Sequence, residues 1–365
     1  MKKAFPSTLL ICLLGGALSA QFAPAQEASS GLDLRATVTA QMAASNELTE
    51  APREGSPVIA GFHSILYPTW KMNGNWFVTG ALQLTTRPYD YENLSTAGYG
   101  VKGNVLQSTL NYSRVSGNSS VLVRVGEMST AFGSFMLRYD DADNPLAGLP
   151  IGYGYYYSPV SVLGVAGAQV DATKGRWDGR VQFANSSPAN PRGLFARDQY
   201  GNWAGGAGYT IRQGFRVGAS AYRGPFLDRK YQYFFPGEAN PNTLPAHALG
   251  ADVNWAHGHT SVLGEGQTFA MPYTKIPTFR ESVGYVELKR VLSPRWFVAL
   301  RCGYLAANAG SNERTIETAA GFRVNRLQLL KIGYENNHYS TGAEQNDNVL
   351  AIQFVTTLHR AFGRE

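Results

Sequence analysis

The chain has 365 residues, a formal net charge of +6 and only two cysteines. Its basic residues are spread along the sequence rather than clustered, which argues against a nucleic-acid-binding face. No run of about eighteen apolar residues follows residue 26, so the sequence predicts no transmembrane helix. The 40 glycines, 20 tyrosines and 18 phenylalanines, together with few runs at helical spacing, indicate an all-β protein.

The N-terminal segment has the three parts of a secretory signal peptide. A short basic region at residues 1–3 precedes an apolar stretch at residues 9–18, and Ala23-Pro24-Ala25 offers an A-x-A cleavage site. The apolar stretch is too short to span a bilayer, which argues against a membrane anchor. We therefore expect residues 1–25 to be removed on export; a cut after Ala20 fits nearly as well.

The mature chain, residues 26–365, is expected to form one domain in an oxidising compartment. Loss of two lysines with the signal peptide lowers its formal charge from +6 to +4, and Cys302 remains as its single cysteine. A disulfide framework is therefore excluded. A lone thiol in an exported protein is expected to be buried or to face lipid.

Apolar side chains recur at every second position in many segments of the mature chain, as they do in a half-buried β-strand. In residues 247–257, for example, leucine, alanine, valine and tryptophan alternate with aspartate and asparagine. In chain order, the predicted strands cover residues 34–44, 57–70, 75–87, 104–114, 119–128, 160–172, 176–186, 202–212, 214–224, 247–257, 259–269, 281–291, 295–307, 312–322, 326–338 and 347–358. Most of these sixteen segments have about the length that a tilted strand needs to cross a bilayer.

The connections between these strands alternate between tight turns and long segments. Residues 116–118 and 292–294 are tight turns, whereas residues 88–103 and 129–159 are long connections. An outer-membrane barrel has this organisation, with short periplasmic turns and longer external loops. The sequence therefore predicts a transmembrane antiparallel β-barrel of about 16 strands, in which the third long connection has no strand period.

A soluble β-sandwich is the alternative architecture for so many alternating strands. It would have shorter strands and no regular alternation of short and long connections. Aromatic residues stand near strand ends on the apolar face, at Trp76, Trp177, Trp203, Tyr209, Trp255, Trp296 and Tyr304. Transmembrane barrels carry such aromatic girdles at both membrane interfaces, so this placement favours the membrane barrel.

The polar residues that alternate with the apolar ones are expected to line the interior of the barrel. With about sixteen strands this interior is too wide for side chains to fill, which leaves a water-filled channel. The basic residues predicted to line the channel are Arg35, Arg87, Arg124, Arg180, Arg216, Arg295, Arg301 and Lys331. Facing lipid, an arginine or lysine would cost about 2–4 kcal/mol near the midplane.

Three short motifs add a family resemblance to this architecture. They are RVGEMSTAFG at residues 124–133, LGEG at residues 263–266 and NDNVLAIQFVT at residues 346–356. The mature chain resembles the bacterial porins, and these motifs are similar to segments of the phosphate-selective (O/P-type) porin family. Ser129 and Thr130 stand where that family commonly has a lysine.

The resemblance implies an outer-membrane porin of a Gram-negative-type cell, through which small hydrophilic or anionic solutes diffuse passively. It also implies a homotrimer in outer-membrane lipid and a third loop folded into the lumen. Asp140, Asp141 and Asp143 would then face wall arginines at a constriction and form a charge filter. A solvated loop tip or a calcium site are the alternatives for these carboxylates. A preference for phosphate stays open, because only seven lysines remain in the mature chain.

Two other classes of protein are alternatives to a porin. An adhesin or structural barrel would bind a surface partner through its long loops, and a barrel-embedded enzyme would need a nucleophile with a base. The six histidines belong to no HExxH motif, and no G-x-S-x-G motif or cysteine pair appears. We therefore expect no enzymatic activity, no catalytic residues, no metal and no cofactor.

Overall fold

A computed structural model describes residues 30–46, 58–86, 101–134, 138–153, 164–185, 201–224, 244–309, 312–340 and 346–363. These residues form sixteen antiparallel β-strands in the order of the sequence. The strands are β1 (Gly31–Ser45), β2 (Val58–Lys71), β3 (Trp76–Thr85), β4 (Lys102–Ser116), β5 (Ser119–Met128), β6 (Val165–Lys174), β7 (Trp177–Ala184), β8 (Asn202–Arg212), β9 (Phe215–Gly224), β10 (Ala246–His257), β11 (Thr260–Met271), β12 (Phe279–Val291), β13 (Trp296–Ala307), β14 (Glu313–Arg323), β15 (Gln328–Tyr339) and β16 (Asn346–Phe362).

Each strand pairs with its sequence neighbours, and β1 pairs with β16, so the sheet closes into a barrel. The closing ladder runs from Leu32 opposite Phe362 to Ser45 opposite Val349. Closure gives every strand two partners and leaves no open edge of unpaired N–H and C=O groups. The predicted all-β barrel of sixteen antiparallel strands is confirmed. Within the described residues, no helix is long and apolar enough to cross a membrane.

Side chains alternate between the two faces of the barrel wall, and the outer face is the apolar one. In β13, Phe297, Ala299 and Arg301 point inward and are buried, whereas Val298 and Cys302 are exposed on the outer face. A soluble protein buries its apolar side chains instead. The observed distribution is the one that a lipid-facing barrel requires.

The two ends of the barrel differ in the length of their connections. At the short-turn end, two to four residues join consecutive strands, and Gly117 and Gly258 take φ angles of 57° that side chains rarely adopt. At the opposite, long-loop end, the connections are longer, and the longest lies between Met128 and Val165. The barrel therefore has the alternation of connections that the sequence predicts.

Aromatic side chains lie on the outer face near both ends of the barrel. The rings of Trp76 and Tyr112 are 5.0 Å apart at the short-turn end, and those of Phe183 and Trp203 are 4.7 Å apart at the long-loop end. Rings with an apolar body and a polar edge are favoured at a membrane interface. The two rows thus mark the two limits of the part of the outer surface that would lie in a bilayer.

The third long connection folds into the interior of the barrel. Its described residues, 129–134 and 138–153, form the lumen segment. Phe132 and Leu146 in this segment have exposed fractions of only 1% and 0%, because the inner faces of the strands surround them. The predicted third loop inside the lumen is confirmed, and its contacts determine the shape of the interior.

Candidate functional site

The chain enters the lumen through a bend that depends on glycine. Gly126 and Gly133 have φ angles of 136° and 76°, which favour glycine. A Cβ atom at Gly126 would collide with the carbonyl oxygen of Ser108, and one at Gly133 would collide with the hydroxyl of Tyr153. The two glycines of the RVGEMSTAFG motif therefore direct the chain from β5 into the interior.

Phe132 is the apolar anchor of the first part of the lumen segment. Its ring lies 5.9 Å from that of Phe269 in β11 and 6.5 Å from that of Tyr222 in β9. Ile151 and Tyr153, from the far end of the segment, belong to the same buried cluster. Burial of a side chain such as Phe132 stabilises the fold by about 1.5–3 kcal/mol. Both ends of the segment are thus packed against the same part of the wall.

Glu265 in β11 holds both ends of the lumen segment with one carboxylate. Its Oε1 atom accepts hydrogen bonds from the Tyr153 hydroxyl at 2.6 Å and from the Ser134 amide at 2.8 Å. Its Oε2 atom accepts hydrogen bonds from the Ser134 hydroxyl at 2.9 Å and from the Tyr285 hydroxyl at 3.2 Å, and Gln267 Nε2 donates a further one to Oε1 at 2.8 Å. Hydrogen bonds to an ionised group are about twice as strong as neutral ones. Glu265, the glutamate of the LGEG motif, is therefore a clasp for the segment.

Two aspartates attach the middle of the lumen segment to β1 and β2. Asp140 accepts hydrogen bonds from the Tyr67 hydroxyl at 2.6 Å and the Thr37 hydroxyl at 2.9 Å, and Asp141 lies 2.9 Å from His63 Nδ1. Both residues are buried. Burial alone would raise the pKa of Asp141, but the hydrogen bond with His63 and nearby positive charge hold this pKa below its usual range.

The predicted constriction, in which three aspartates face wall arginines, stays a prediction. Asp140 and Asp141 contact hydroxyl groups and an imidazole, because those side chains project from β1 and β2 where the segment reaches the wall. Asp143 is partly exposed and experiences the positive charge of Arg35; burial and the neighbouring Asp140 raise its pKa. The described residues contain no group of three or more His, Cys, Asp or Glu side chains placed to hold a metal ion.

Lys331, predicted to line the channel, is enclosed by the lumen segment. Its ammonium group donates hydrogen bonds to the carbonyl oxygens of Asp141, Asn144 and Leu146 at 3.0–3.1 Å. The side chain has an exposed fraction of 0%. Lys331 therefore stabilises the turn of the segment rather than contacting a solute.

Arg301 is the second predicted channel residue that the lumen segment encloses. Its guanidinium group binds Glu287 at 2.8 Å and Glu317 at 2.7 Å, and it also donates to Asn144 Oδ1 and to the carbonyl oxygen of Gly148. Removal of one partner of such a buried ion pair lowers the stability of a protein by about 3–5 kcal/mol. Arg301 thus links the strands β12, β13 and β14 of the wall to the segment.

Arg124 and Arg216 are also bound by carboxylates of neighbouring strands. Arg124 is buried and pairs with Asp171 at 2.6 Å. Arg216 lies between Asp178 at 2.6 Å and Asp252 at 2.7 Å, and its side chain keeps an exposed fraction of 32%. Of these two predicted channel residues, only Arg216 is open to the lumen.

The other predicted basic residues differ in their positions. Arg35 lies 4.7 Å from the centre of the Tyr67 ring, and Arg180 donates a hydrogen bond to a carbonyl oxygen of the lumen segment. Arg295 is exposed in the turn before β13 rather than on the strand as predicted, which places it at the short-turn end. Arg87 lies outside the described residues.

The wall beside Arg180 and Arg216 carries little side-chain bulk. Gly206, Gly208 and Gly218 face inward there, and a Cβ atom on either of the last two would collide with the Arg216 guanidinium. A small pocket of about 10 Å³ lies between this wall and Gly133 of the lumen segment. This part of the wall, along β7–β10, is called the glycine groove, and Arg180 links it to the lumen segment by a hydrogen bond to Gly133.

Lys289 and Arg138 are basic residues of the interior that the predicted set lacks. Lys289 lies 4.7 Å from the centre of the Phe297 ring, and Arg138 binds Glu287 at 2.8 Å. The period of two in β12 could have identified Lys289, because it is two residues from the inward-facing Glu287. Arg138 belongs to the lumen segment, where no periodicity indicates which side chains meet the wall.

The closed barrel, its apolar outer face and its inserted third loop define a porin-type fold. Among solved structures, the chain is similar to the anion-selective porin from Comamonas acidovorans, with a TM-score of 0.62 and 10% identity over 90% of this chain and 100% of that one. It is similar to the channel DcaP of Acinetobacter baumannii, with a TM-score of 0.63 and 9% identity over 91% and 99%.

A third similar structure is a loop-deletion mutant of OmpT, an outer membrane protein of Vibrio cholerae. Its TM-score is 0.60 and its identity 10%, over 91% of this chain and 100% of that one. No protein-family model matches the chain, and no curated protein sequence is similar to it. At these identities the comparisons show the fold alone.

Proposed function

We propose that the protein is an outer-membrane porin through which small hydrophilic solutes diffuse passively. The distribution of side chains over the barrel wall is the main support for this proposal. Apolar residues face outward, and charged residues face an interior that the lumen segment narrows. A closed sheet of this kind is stable in lipid. Sixteen strands also enclose more space than side chains fill. The glycine groove along β7–β10 is the path that we assign to solutes.

The interior of the barrel as a whole is assigned a modest preference for anions. Among the described residues, Arg35, Arg180 and Lys289 face the interior with no carboxylate bonded to them. Positive charge on the low-dielectric wall of a channel raises the local concentration of anions. Phosphate-like solutes fit this chemistry, as do other small anions. Asp143, which is partly exposed, limits the preference.

The proposal places the protein as a homotrimer in the outer membrane of a Gram-negative-type cell. The signal peptide predicted at residues 1–25 would direct its export. The apolar outer face between two aromatic rows fits a bilayer. One of the structures similar to this chain is described as a trimer form of OmpT.

A non-conducting adhesin or structural barrel is the second candidate. The contacts of the lumen segment with β1, β2, β7, β9 and β11–β16 favour it, because a segment held on so many sides resembles a plug. A barrel-embedded enzyme has less support. Both ring nitrogens of His63 are engaged, by Asp141 at 2.9 Å and by Gln83 at 2.7 Å, so this buried histidine serves as a structural link.

Reconstitution of the purified protein in a planar lipid bilayer tests these proposals. The wild type should give discrete conductance steps and a reversal potential that indicates anion preference. The double variant Arg180→Gln, Lys289→Gln should lower the ratio of anion to cation permeability. Arg290 is the neighbour of Lys289 and faces outward, so Arg290→Gln should leave this ratio unchanged. A folded barrel that gives no conductance would contradict the porin proposal and would leave the adhesin or structural barrel as the remaining candidate.

A further inference from the structure

Glu281, the third residue of β12, is a buried carboxylate on the inner face of the wall near the long-loop end. Its exposed fraction is only 4%. No hydrogen-bond donor in the described part of the chain reaches its Oε1 atom. An ionised carboxylate that is removed from water without a partner is strongly destabilising. A bound cation or a proton is therefore needed to neutralise Glu281.

Other buried carboxylates of the inner wall have partners that the protein supplies. Arg301 binds both Glu287 and Glu317. Glu265 accepts five hydrogen bonds from the lumen segment and from neighbouring strands. Glu281 differs from these three glutamates, because the same wall leaves its charge uncompensated.

The neighbours of Glu281 in the sheet offer it no donor and no positive charge. Phe269 in β11 and Ala307 in β13 are directly opposite Glu281 in the two ladders, and both side chains are apolar. Arg280, the preceding residue, projects to the outer face. Glu281 experiences instead the negative charge of Glu313. Two carboxylates therefore share this part of the wall.

Glu313 and Gln267 add oxygen ligands beside Glu281. Glu313 begins β14 and is buried on the inner face. Gln267, also buried, is the diagonal neighbour of Glu281 in the β11–β12 ladder. Its Nε2 atom donates to Glu265 at 2.8 Å and to the Tyr153 hydroxyl at 2.9 Å, whereas no described donor reaches its Oε1 atom. The mouth site, defined by Gln267, Glu281 and Glu313, thus presents two carboxylates and an amide oxygen.

These side chains are of the types that calcium prefers. Ca²⁺ takes about six to eight oxygen ligands from carboxylates, amide groups and water. The described residues contain no group of three or more His, Cys, Asp or Glu side chains placed to hold a metal ion, so water would complete the coordination of an ion at the mouth site. The long-loop end of an outer-membrane barrel faces the outside, where calcium-binding modules have dissociation constants of about 10⁻⁴–10⁻³ M.

We propose that the mouth site binds one Ca²⁺ ion, which neutralises Glu281 and links β11, β12 and β14 at the long-loop end. The ion would lie next to the Glu265 clasp, because Gln267 donates to both Glu265 and Tyr153. Binding of the ion requires no conduction, so the proposal goes beyond the porin function and does not depend on it.

Isothermal titration calorimetry of the folded, chelator-treated barrel in detergent tests the mouth site, with calcium as the probe. At about pH 8 a carboxyl group with an ordinary pKa is ionised, and the wild type should bind one calcium ion per chain. Glu281→Gln and Glu313→Gln should each weaken this binding by at least about tenfold, because affinity depends on the charge of the ligands. Calcium should also raise the urea midpoint of unfolding of the wild type, since a ligand of the folded state stabilises it, and should not raise that of Glu281→Gln.

Asp347→Asn is the matched control. Asp347 is also buried on the inner face near the long-loop end, but it accepts a hydrogen bond from the Ser45 hydroxyl at 2.8 Å. This variant should bind calcium like the wild type. A wild type that binds no calcium, as expected if a proton neutralises Glu281, would overturn the proposal, and so would an equal loss of binding in Asp347→Asn. A barrel that binds calcium at the mouth site but does not conduct would contradict the porin proposal alone.

Discussion

Lys331 and Arg301 bring positive charge into the middle of the barrel, where the protein itself supplies their hydrogen-bond acceptors. Lys331 binds three carbonyl oxygens of the lumen segment, and Arg301 binds two glutamates of the wall. A charge buried in this way is stable only while its partners remain. At the scale of single residues, part of the lumen charge therefore stabilises the segment and is not available to solutes.

Replacement of Lys331 tests this structural role. Lys331→Met would leave three buried carbonyl oxygens without donors, at about 1–3 kcal/mol for each unsatisfied group. The free energy of unfolding, measured in urea from the folded band on a gel, should fall by about 3 kcal/mol or more. Lys174→Met, at an exposed outer position, should change it little. An equally small effect of both variants would contradict the role of Lys331.

Asp141 makes attachment of the lumen segment sensitive to acid. Its folded pKa is below the ordinary value of a carboxyl group, so its stabilising effect is present above the unfolded pKa and is lost as the pH falls through the folded value. Below about pH 4, channel current should become noisier as the segment loosens. In Asp141→Asn, noise should be raised at neutral pH and should depend less on acid. Identical pH profiles would contradict this attachment.

At the scale of elements, the strands and the lumen segment are stabilised in different ways. Each strand is defined by its own alternation of side chains and by its two neighbours in the ladder. The lumen segment has no such pattern, and contacts such as those of Glu265, Phe132 and Asp140 hold it to the wall. Its position therefore depends on a few attachments that can be removed singly.

The Glu265 clasp is the attachment whose loss should affect the channel most. Glu265→Gln preserves the shape of the side chain but weakens the bonds to Ser134 and Tyr153, so the segment should move away from the wall more often. Single-channel recordings should show greater open-state noise and a changed conductance. Glu127→Gln, on the outward-facing side of β5, is the control and should behave like the wild type. A recording of Glu265→Gln that cannot be distinguished from this control would contradict the clasp.

At the scale of the whole molecule, closure of the sheet places strong constraints on backbone pairing and weak ones on residue identity. Any sequence with apolar and polar residues at alternate positions satisfies a lipid-facing wall. This explains how the chain can share its fold with outer-membrane proteins to which it is only 9–10% identical. The interior varies more freely, because a lumen accepts many combinations of polar side chains.

The sequence by itself determined the strands, their number, the apolar outer face and the third loop as the exceptional connection. These features are local, because a period of two and a turn signal are written into adjacent residues. The roles of Arg35, Arg180 and Arg216 in conduction stay predictions. Their inward positions follow from the same periodicity.

Only the tertiary structure decided which lumen charges are enclosed and which face the groove. The partners of the lumen segment are far apart in sequence: Thr37 is 103 residues from Asp140, and Lys331 is 190 residues from Asp141. Periodicity specifies the face of a strand, but it does not specify which of several inward-facing residues a folded loop will meet. That choice depends on closure of the barrel, which brings β1, β2 and β15 around the same segment.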